Sequence, residues 1–288
     1  MVEPARGVRA GWRRRDRAVE TLVRPPGPDA VRSDDVYAAL APYADGLAVD
    51  GDLTRFERRI FSQNGEDGVV AEVLRRVGVG ERWFVEFGVG TGHEGVCVAL
   101  ADVLGWSGLF IEGGDGMAPE LHRKYRAIDR VQTVQALVTA ENVEALFAAA
   151  GVPAEPDVVS IDVDGNDWWI WRALTSYRPR LVVIEYNANL DPTAQLVKPY
   201  EPTAAWDLTS WFGASLGAYE RLAATKGYTL VHTDLRGVNA FFLRDDLLAA
   251  LGPVAPPRRV ANYDLLGTHM TDPPAERPWI DLTVDPPE

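Results

Sequence analysis

Trp83-Phe-Val-Glu-Phe-Gly-Val-Gly-Thr-Gly-His93 is the stretch that decides the fold. Five residues suited to a buried strand run into three glycines at alternate positions, Gly88, Gly90 and Gly92, and an apolar helix-like segment follows at once. A strand that ends in a glycine turn and opens a helix brings backbone close to a nucleotide-like ligand. Glycine is required there because a Cβ would block the ligand or forbid the backbone angles.

Outward from this turn the pattern is a regular alternation. The strand Trp83–Phe87 precedes a helix over Gly95–Leu104, and strands at Gly108–Glu112, Val131–Leu137, Asp157–Asp162 and Leu181–Tyr186 alternate with helices at Ala118–Ala127, Ala140–Ala150 and Asp167–Thr175. Such alternation implies a parallel sheet covered on both faces, with ligands at the carboxyl ends of its strands. The series then changes character. A helix over Ala214–Lys226 stops at Gly227, and the segments Tyr228–Thr233 and Asn239–Arg244 lie a hairpin apart, so they should pair antiparallel. The expected fold class is therefore α/β, a doubly wound Rossmann-like sheet that is mostly parallel and ends in an antiparallel strand.

On the N-terminal side, Phe61-Ser-Gln-Asn-Gly-Glu-Asp67 leads into a stripe of Val69, Val70, Val73, Leu74 and Val77, which predicts a helix with one apolar face. Ser62 or Asn64 is suited to cap its start. Gln63 and Asn64 serve either as turn formers or as a polar lid over a ligand in the glycine turn. Three parts follow: an Arg- and Pro-rich, partly helical extension over 1–55, with a short helix near 34–41; the α/β domain over 56–250; and a Pro-rich tail over 251–288 lying on the surface.

The net charge of −13 argues against a nucleic-acid partner and against an anionic membrane surface, both of which need a basic face. With Cys97 as the single cysteine there is neither an intramolecular disulfide nor a cysteine zinc cluster. No apolar run is long enough to span a bilayer and no signal-peptide core follows the basic N-terminus, so a soluble cytoplasmic protein is expected. Homo-oligomerisation stays open.

Three constellations carry chemistry. His93 stands where a dinucleotide fingerprint has its third glycine, while Glu86 precedes the turn and Glu112 ends the second strand, where an acid can hold ribose hydroxyls. Acids flanking the turn suit a cationic ligand such as a sulfonium better than a pyrophosphate. Ser160-Ile-Asp-Val-Asp-Gly-Asn-Asp167 places Asp162, Asp164 and Asp167 on one turn, where their repulsion calls for a cation or for donors. Ile184-Glu-Tyr-Asn-Ala-Asn189 ends the neighbouring strand, bringing Glu185 and Asn187 toward Asp162 and Asp164 as an oxygen-rich set able to bind Mg²⁺. Capping without metal is the other reading. Beyond it, Asp191–Phe212, with Lys198, Tyr200, Trp206, Asp207, Trp211 and Phe212, is placed as a substrate lid, whereas Trp168, Trp169 and Trp171 read as helix packing.

Taken together, Ser-Gln-Asn-Gly-Glu-Asp, Phe-Val-Glu-Phe-Gly-Val-Gly-Thr-Gly, Gly-Trp-Ser-Gly-Leu-Phe-Ile-Glu, Ser-Ile-Asp-Val-Asp-Gly-Asn-Asp and Val-Val-Ile-Glu-Tyr-Asn resemble class I S-adenosylmethionine-dependent methyltransferases of the FkbM-like kind over residues 60–247. The resemblance implies a seven-stranded sheet and S-adenosylmethionine as cofactor. It places Glu86, Gly88, Gly90 and Gly92 against the methionine part, Glu112 on the ribose and Asp162 beside the sulfonium, with Gln63 over the site. Asp164 stands where that pattern usually has Glu. The expected activity is methyl transfer to a hydroxyl, or less readily an amine, of a small metabolite or sugar-containing natural product. His93, Asp164, Asp167 and Asp207 are the candidate bases, and Asp162, Asp164, Glu185 and Asn187 the candidate Mg²⁺ ligands. The rival readings are a binding protein that kept the fold without catalysis and an NAD-linked oxidoreductase, which the absent third glycine and the terminal hairpin disfavour.

Overall fold

The computed structural model describes residues 53–203, 205–262 and 276–287. The extension's expected helix near 34–41 lies outside them. No helix among the described residues is long and apolar enough to cross a membrane.

Helix α1 (Glu66–Val77) leads into β1 (Trp83–Phe87), followed by α2 (Val98–Asp102), β2 (Ser107–Glu112), α3 (Ala118–Tyr125), β3 (Val131–Gln135), α4 (Val143–Ala149), β4 (Val158–Ile161), α5 (Asp167–Ala173) and β5 (Leu181–Glu185). A two-residue β6 (Leu196–Val197) precedes α6 (Leu216–Lys226), β7 (Tyr228–Thr233), β8 (Asn239–Arg244), α7 (Leu248–Leu251) and β9 (Ile280–Asp281). The main sheet has seven strands in the order β3-β2-β1-β4-β5-β8-β7. Every pairing from β3 to β5 is parallel, and β8 runs antiparallel to both β5 and β7. This is the doubly wound, mostly parallel sheet with an antiparallel last strand that the alternation predicted. The order in which strands are added reverses between β1 and β4, so the crevice at the carboxyl ends of these two strands is the topological switch point.

Side chains alternate across the sheet, as strand geometry requires. Val85 and Phe87 join Val143, Phe147, Ile170 and Trp171 on one face, while Phe84 and Phe110 join Val69, Val73, Leu121 and Tyr125 on the other. Central strands buried on both faces are near-continuously apolar, which is why β4 and β5 read Val-Val-Ser-Ile and Leu-Val-Val-Ile-Glu. Trp171 is 1% exposed and packs its ring against Phe242 at 5.0 Å, in line with its expected core role.

Local chemistry moves two element boundaries. The helix expected from Gly95 begins only at Val98, and the Glu86 carboxylate accepts the Val96 and Cys97 amides just ahead of it. At α1 the residue at the cap position is Gly65 in the left-handed region (φ 96°), and the Ser62 hydroxyl caps the first turn by accepting the Asp67 amide at 3.1 Å, as expected, whereas Asn64 caps no amide there. Capture also runs the other way. Asp67, in the first turn, accepts the amides of Ile60, Phe61 and Ser62 with one oxygen, and Glu66 accepts from the Asn64 amide and from the side chains of Asn64 and Asn239. The C-terminal residues are stitched to the domain: β9 pairs antiparallel with β6, and Leu282 is 2% exposed.

Candidate cofactor and acceptor site

The glycine turn folds as three left-handed residues, Gly88, Gly90 and Gly92, at φ 68°, 62° and 75°. L-residues with a Cβ rarely adopt such angles. The surroundings divide the three. A Cβ on Gly88 would lie 1.9 Å from the Asp162 carbonyl oxygen, and one on Gly92 would lie 2.6 Å from Leu121 Cδ1. Both glycines are therefore demanded by the protein's own packing. A Cβ on Gly90 would meet only the Met117 sulfur, at 3.4 Å. Of the three, Gly90 alone has a side open to a ligand.

Glu112, at the end of β2 and 2% exposed, accepts the Gly90 amide at 2.6 Å and the Gly114 amide at 2.7 Å. One carboxylate thus joins the turn after β1 to the loop after β2, where the sequence placed it. Glu86 is 4% exposed and gives its carboxylate to the two amides beyond the turn. Burial pushes its pKa up to about 8; the Cys97 and Val96 amides oppose this, and the nearby Asp67 and Glu66 add to it. Gln63 and His93 are both exposed. Gln63 is fixed through its backbone, its carbonyl accepting from Arg236.

At the carboxyl ends of β4 and β5, one oxygen each of Asp162, Asp164 and Glu185 lie within 4.8 Å of one another. All three are half-buried. Asp164 takes a left-handed backbone at φ 58°, a conformation that costs a non-glycine residue about 1 kcal/mol or more and is typical of functional turns. Asp167 holds it there, accepting the amides of Val163 at 2.7 Å and Gly165 at 2.9 Å.

Three expected roles are corrected by these contacts. Asp167 is fully buried and spends both oxygens on its own loop, so it shapes the turn and does not face a substrate as a base. Burial, opposed by those amides, pushes its pKa up to about 6. Asn187 does not join the acidic set: its oxygen accepts both the Asn189 amide and its side chain, and its amide group donates to the carbonyls of Ser210 and Phe212 at 2.8 Å. A carbonyl oxygen has two lone pairs, and both are taken. Asp207 pairs with Arg277 at 2.6 Å, accepts from Thr209 and is not one of the acidic set.

The lid segment after β5 does pack over this edge. Tyr200 donates to Glu141 and accepts the Ala140 amide, and the Asn166 amide group donates to the Glu201 carbonyl. Trp169, expected as packing, also ties down the lid, since its indole donates to the Lys198 carbonyl and its ring lies 5.5 Å from Tyr200. Lys198, Glu201, Asp207, Trp211 and Arg277 line a cavity of about 310 Å³ on this side. Sequence reading placed all of these but Glu201 and Arg277. Arg277 stands 70 positions from its partner Asp207, and nothing local signals so distant a contact.

No protein-family model matches the chain, and no curated protein matches it either. Among solved structures, a putative caffeoyl-CoA O-methyltransferase from Staphylococcus aureus aligns at 14% identity and a TM-score of 0.44, over 80% of this chain and 99% of its own. An O-methyltransferase from Bacillus cereus in complex with SAH aligns at 13% and 0.41, over 81% of this chain and 97% of its own. The N-terminal domain of EvdMO1 with SAH bound gives 13% and 0.40, over 62% and 79%. With TM-scores below 0.5, these likenesses carry no argument about this chain's activity. The fold stands on the strand order, and the site on its own geometry.

Proposed function

We propose that this protein binds S-adenosylmethionine in the crevice between β1, β2 and β4 and transfers its methyl group to a hydroxyl of a small molecule, with a sugar-containing natural product or similar metabolite as acceptor. One observation carries the reading. Glu112 reaches back from the end of β2 to the Gly90 amide, so an acid suited to ribose hydroxyls and a turn with an open glycine form one unit at the switch point. Asp162 follows β4 with its backbone carbonyl against Gly88, which supports a role for its carboxylate in stabilising the positive charge of a sulfonium bound in the turn.

The reaction breaks the sulfur–methyl bond, forms an oxygen–methyl bond and moves the acceptor's proton to a base. Asp164, at the left-handed turn after β4, is the favoured acceptor of that proton, with the exposed His93 as the other candidate base. In-line geometry is supplied by holding the acceptor under the lid segment against the β4 loop. The trio Asp162, Asp164 and Glu185 also fits a hard divalent cation, since oxygens within 4.8 Å of one another can converge on one ion with modest side-chain adjustment. Bound Mg²⁺ would supply Lewis-acid stabilisation of a deprotonated hydroxyl.

Calorimetry with S-adenosylhomocysteine tests the binding half, and mass-spectrometric detection of a methylated product across a hydroxyl-bearing panel, with and without Mg²⁺, tests the transfer half. A protein that binds neither S-adenosylmethionine nor S-adenosylhomocysteine refutes the proposal. Binding without turnover across the panel would favour a non-catalytic binding protein.

A further inference from the structure

Lys198 follows the two-residue strand β6 and is 4% exposed, yet among the described residues its ammonium makes no hydrogen bond and no ion pair. It rests 4.8 Å from the centre of the Trp211 ring. An ammonium group withdrawn from water costs free energy unless a counter-charge meets it. The carboxylates of the same cavity do not meet it. Asp207 is engaged by Arg277 and by the Thr209 amide and hydroxyl, and Glu201 lies exposed. A second cation, the Arg277 guanidinium, also lies 4.8 Å from the Trp211 ring. The cavity thus gathers two cations on one indole, one of them on a largely buried side chain whose ammonium opens to the cavity without a protein acceptor among the described residues.

Its position matters as much as its charge. A Cβ on Gly165 would fall 3.4 Å from Lys198 Nζ, so the ammonium lies against the very loop that carries Asp164. Burial pushes the Lys198 pKa down, against the pull of Glu201, Asp207 and Asp167, so these acids do not fully compensate the lost water.

We infer that this cavity is an oxyanion subsite: Lys198 anchors a carboxylate or phosphate group of the acceptor and so presents the acceptor's hydroxyl to the β4 loop. Calling the ligand an acceptor rests on the methyl-transfer reading; the binding of an anion does not.

The Trp211 indole N–H donates to the Pro278 carbonyl at 3.2 Å, which gives the cavity its own reporter resonance. The full chain, labelled with ¹⁵N, is titrated with sodium acetate and separately with inorganic phosphate, with sodium chloride at matched ionic strength as control. The expected result is a saturable shift of the Trp211 indole signal by acetate, phosphate or both, with a dissociation constant on the order of 1–10 mM. Lys198→Met should weaken it at least tenfold, while Lys198→Arg retains it. A signal that moves no more than in sodium chloride overturns the inference on the wild-type protein alone, and a shift that survives Lys198→Met overturns it as well. The preferred anion tells a carboxylate-bearing acceptor from a phosphorylated one. Calorimetry with S-adenosylhomocysteine on the same samples separates the two readings. Anion binding without cofactor binding keeps the subsite and removes methyl transfer, and the reverse removes the subsite alone.

Discussion

Replacing Gly88 and Gly90 one at a time by alanine separates a glycine the fold needs from a glycine the ligand needs. Both occupy left-handed backbone, at φ 68° and 62°, so each alanine starts with a cost of about 1–2 kcal/mol. The remainder differs. In Gly88→Ala the added methyl carbon would sit 1.9 Å from the Asp162 carbonyl oxygen, which is backbone and cannot rotate away. Either the turn or the end of β4 must move by more than 1 Å, an overpacking cost of roughly 1–3 kcal/mol. In Gly90→Ala the methyl would meet Met117 Sδ at 3.4 Å, which a flexible thioether can yield to. The totals are about 2–5 kcal/mol for Gly88→Ala and about 1–2 kcal/mol for Gly90→Ala. At about 2–4 °C per kcal/mol for a domain of this size, melting falls by roughly 4–20 °C and 2–8 °C respectively.

Scanning calorimetry reads that difference, and titration calorimetry with S-adenosylhomocysteine supplies the second axis. Gly90→Ala should weaken binding by a factor of about 10 or more, a loss of at least 1.4 kcal/mol, because the methyl intrudes on the open side and disturbs the amide held by Glu112. Equal melting points for the two variants would show that the Asp162 contact carries no cost. Wild-type affinity in Gly90→Ala would mean that the turn is only a turn and that the ligand approaches elsewhere.

Glu112→Gln should lower S-adenosylhomocysteine affinity by about 10- to 100-fold, the range expected when charge-assisted hydrogen bonds are lost; unchanged affinity by calorimetry would remove Glu112 from the ribose. For Glu86, the folded pKa is raised from 4.5 to about 8, so its contribution is fully present below about pH 4.5 and is lost as pH climbs through 8. Glu86→Gln should therefore gain stability relative to wild type between pH 5 and 8 in urea titrations, and a constant difference across that window would contradict the burial argument. If the cofactor's positive charge comes near Glu86, binding at pH 7 should release a proton, seen as an enthalpy that varies with the buffer's ionisation heat. Asp164→Asn should weaken Mg²⁺ binding measured by calorimetry at least tenfold, whereas Asn187→Ala should leave that affinity unchanged and lower stability by about 1–3 kcal/mol through the buried carbonyls it strands. Loss of Mg²⁺ binding in a fully folded Asn187→Ala protein would restore Asn187 as a ligand.

The sheet was legible because its signals are local and periodic. Parallel strands buried on both faces need unbroken apolar runs, and glycines must mark turns that have no room for a Cβ, so Val-Val-Ser-Ile and the Gly88–Gly92 turn announce themselves. Glu112 was legible for the same reason, since its place at a strand end follows from the strand. What escaped is the direction of hydrogen bonds. Ser62, Asn64, Asp67 and Asp167 are all good caps by residue type, but which side chain captures which amide depends on the angle at which the chain enters the helix. Asp67 reaches back to Ile60–Ser62 with an oxygen that composition cannot assign. The same limit applies to Asn187, which looks like a metal ligand by position and is consumed by the carbonyls of Ser210 and Phe212, over twenty residues away.

The β4 loop explains why these elements must act together. Its Asp162 carbonyl abuts Gly88 in the cofactor turn, while Asp162 and Asp164 face Glu185 at the end of β5. Its Gly165 leaves the space into which Lys198 extends, and its Asn166 holds the lid through the Glu201 carbonyl. All of this hangs on one buried carboxylate, Asp167, which fixes the amides of Val163 and Gly165 and with them the left-handed Asp164. A short run of chain through Asp162, Asp164, Gly165 and Asn166 therefore touches the cofactor turn, the acidic trio, the anion cavity and the lid in succession. Because these residues are so close along the chain, none can shift without moving its neighbours, and packed interiors transmit such shifts instead of absorbing them. On the proposed function, an acceptor under the segment after β5 and a cofactor in the glycine turn would both contact this one loop, which is what bringing a methyl donor and a hydroxyl into line requires.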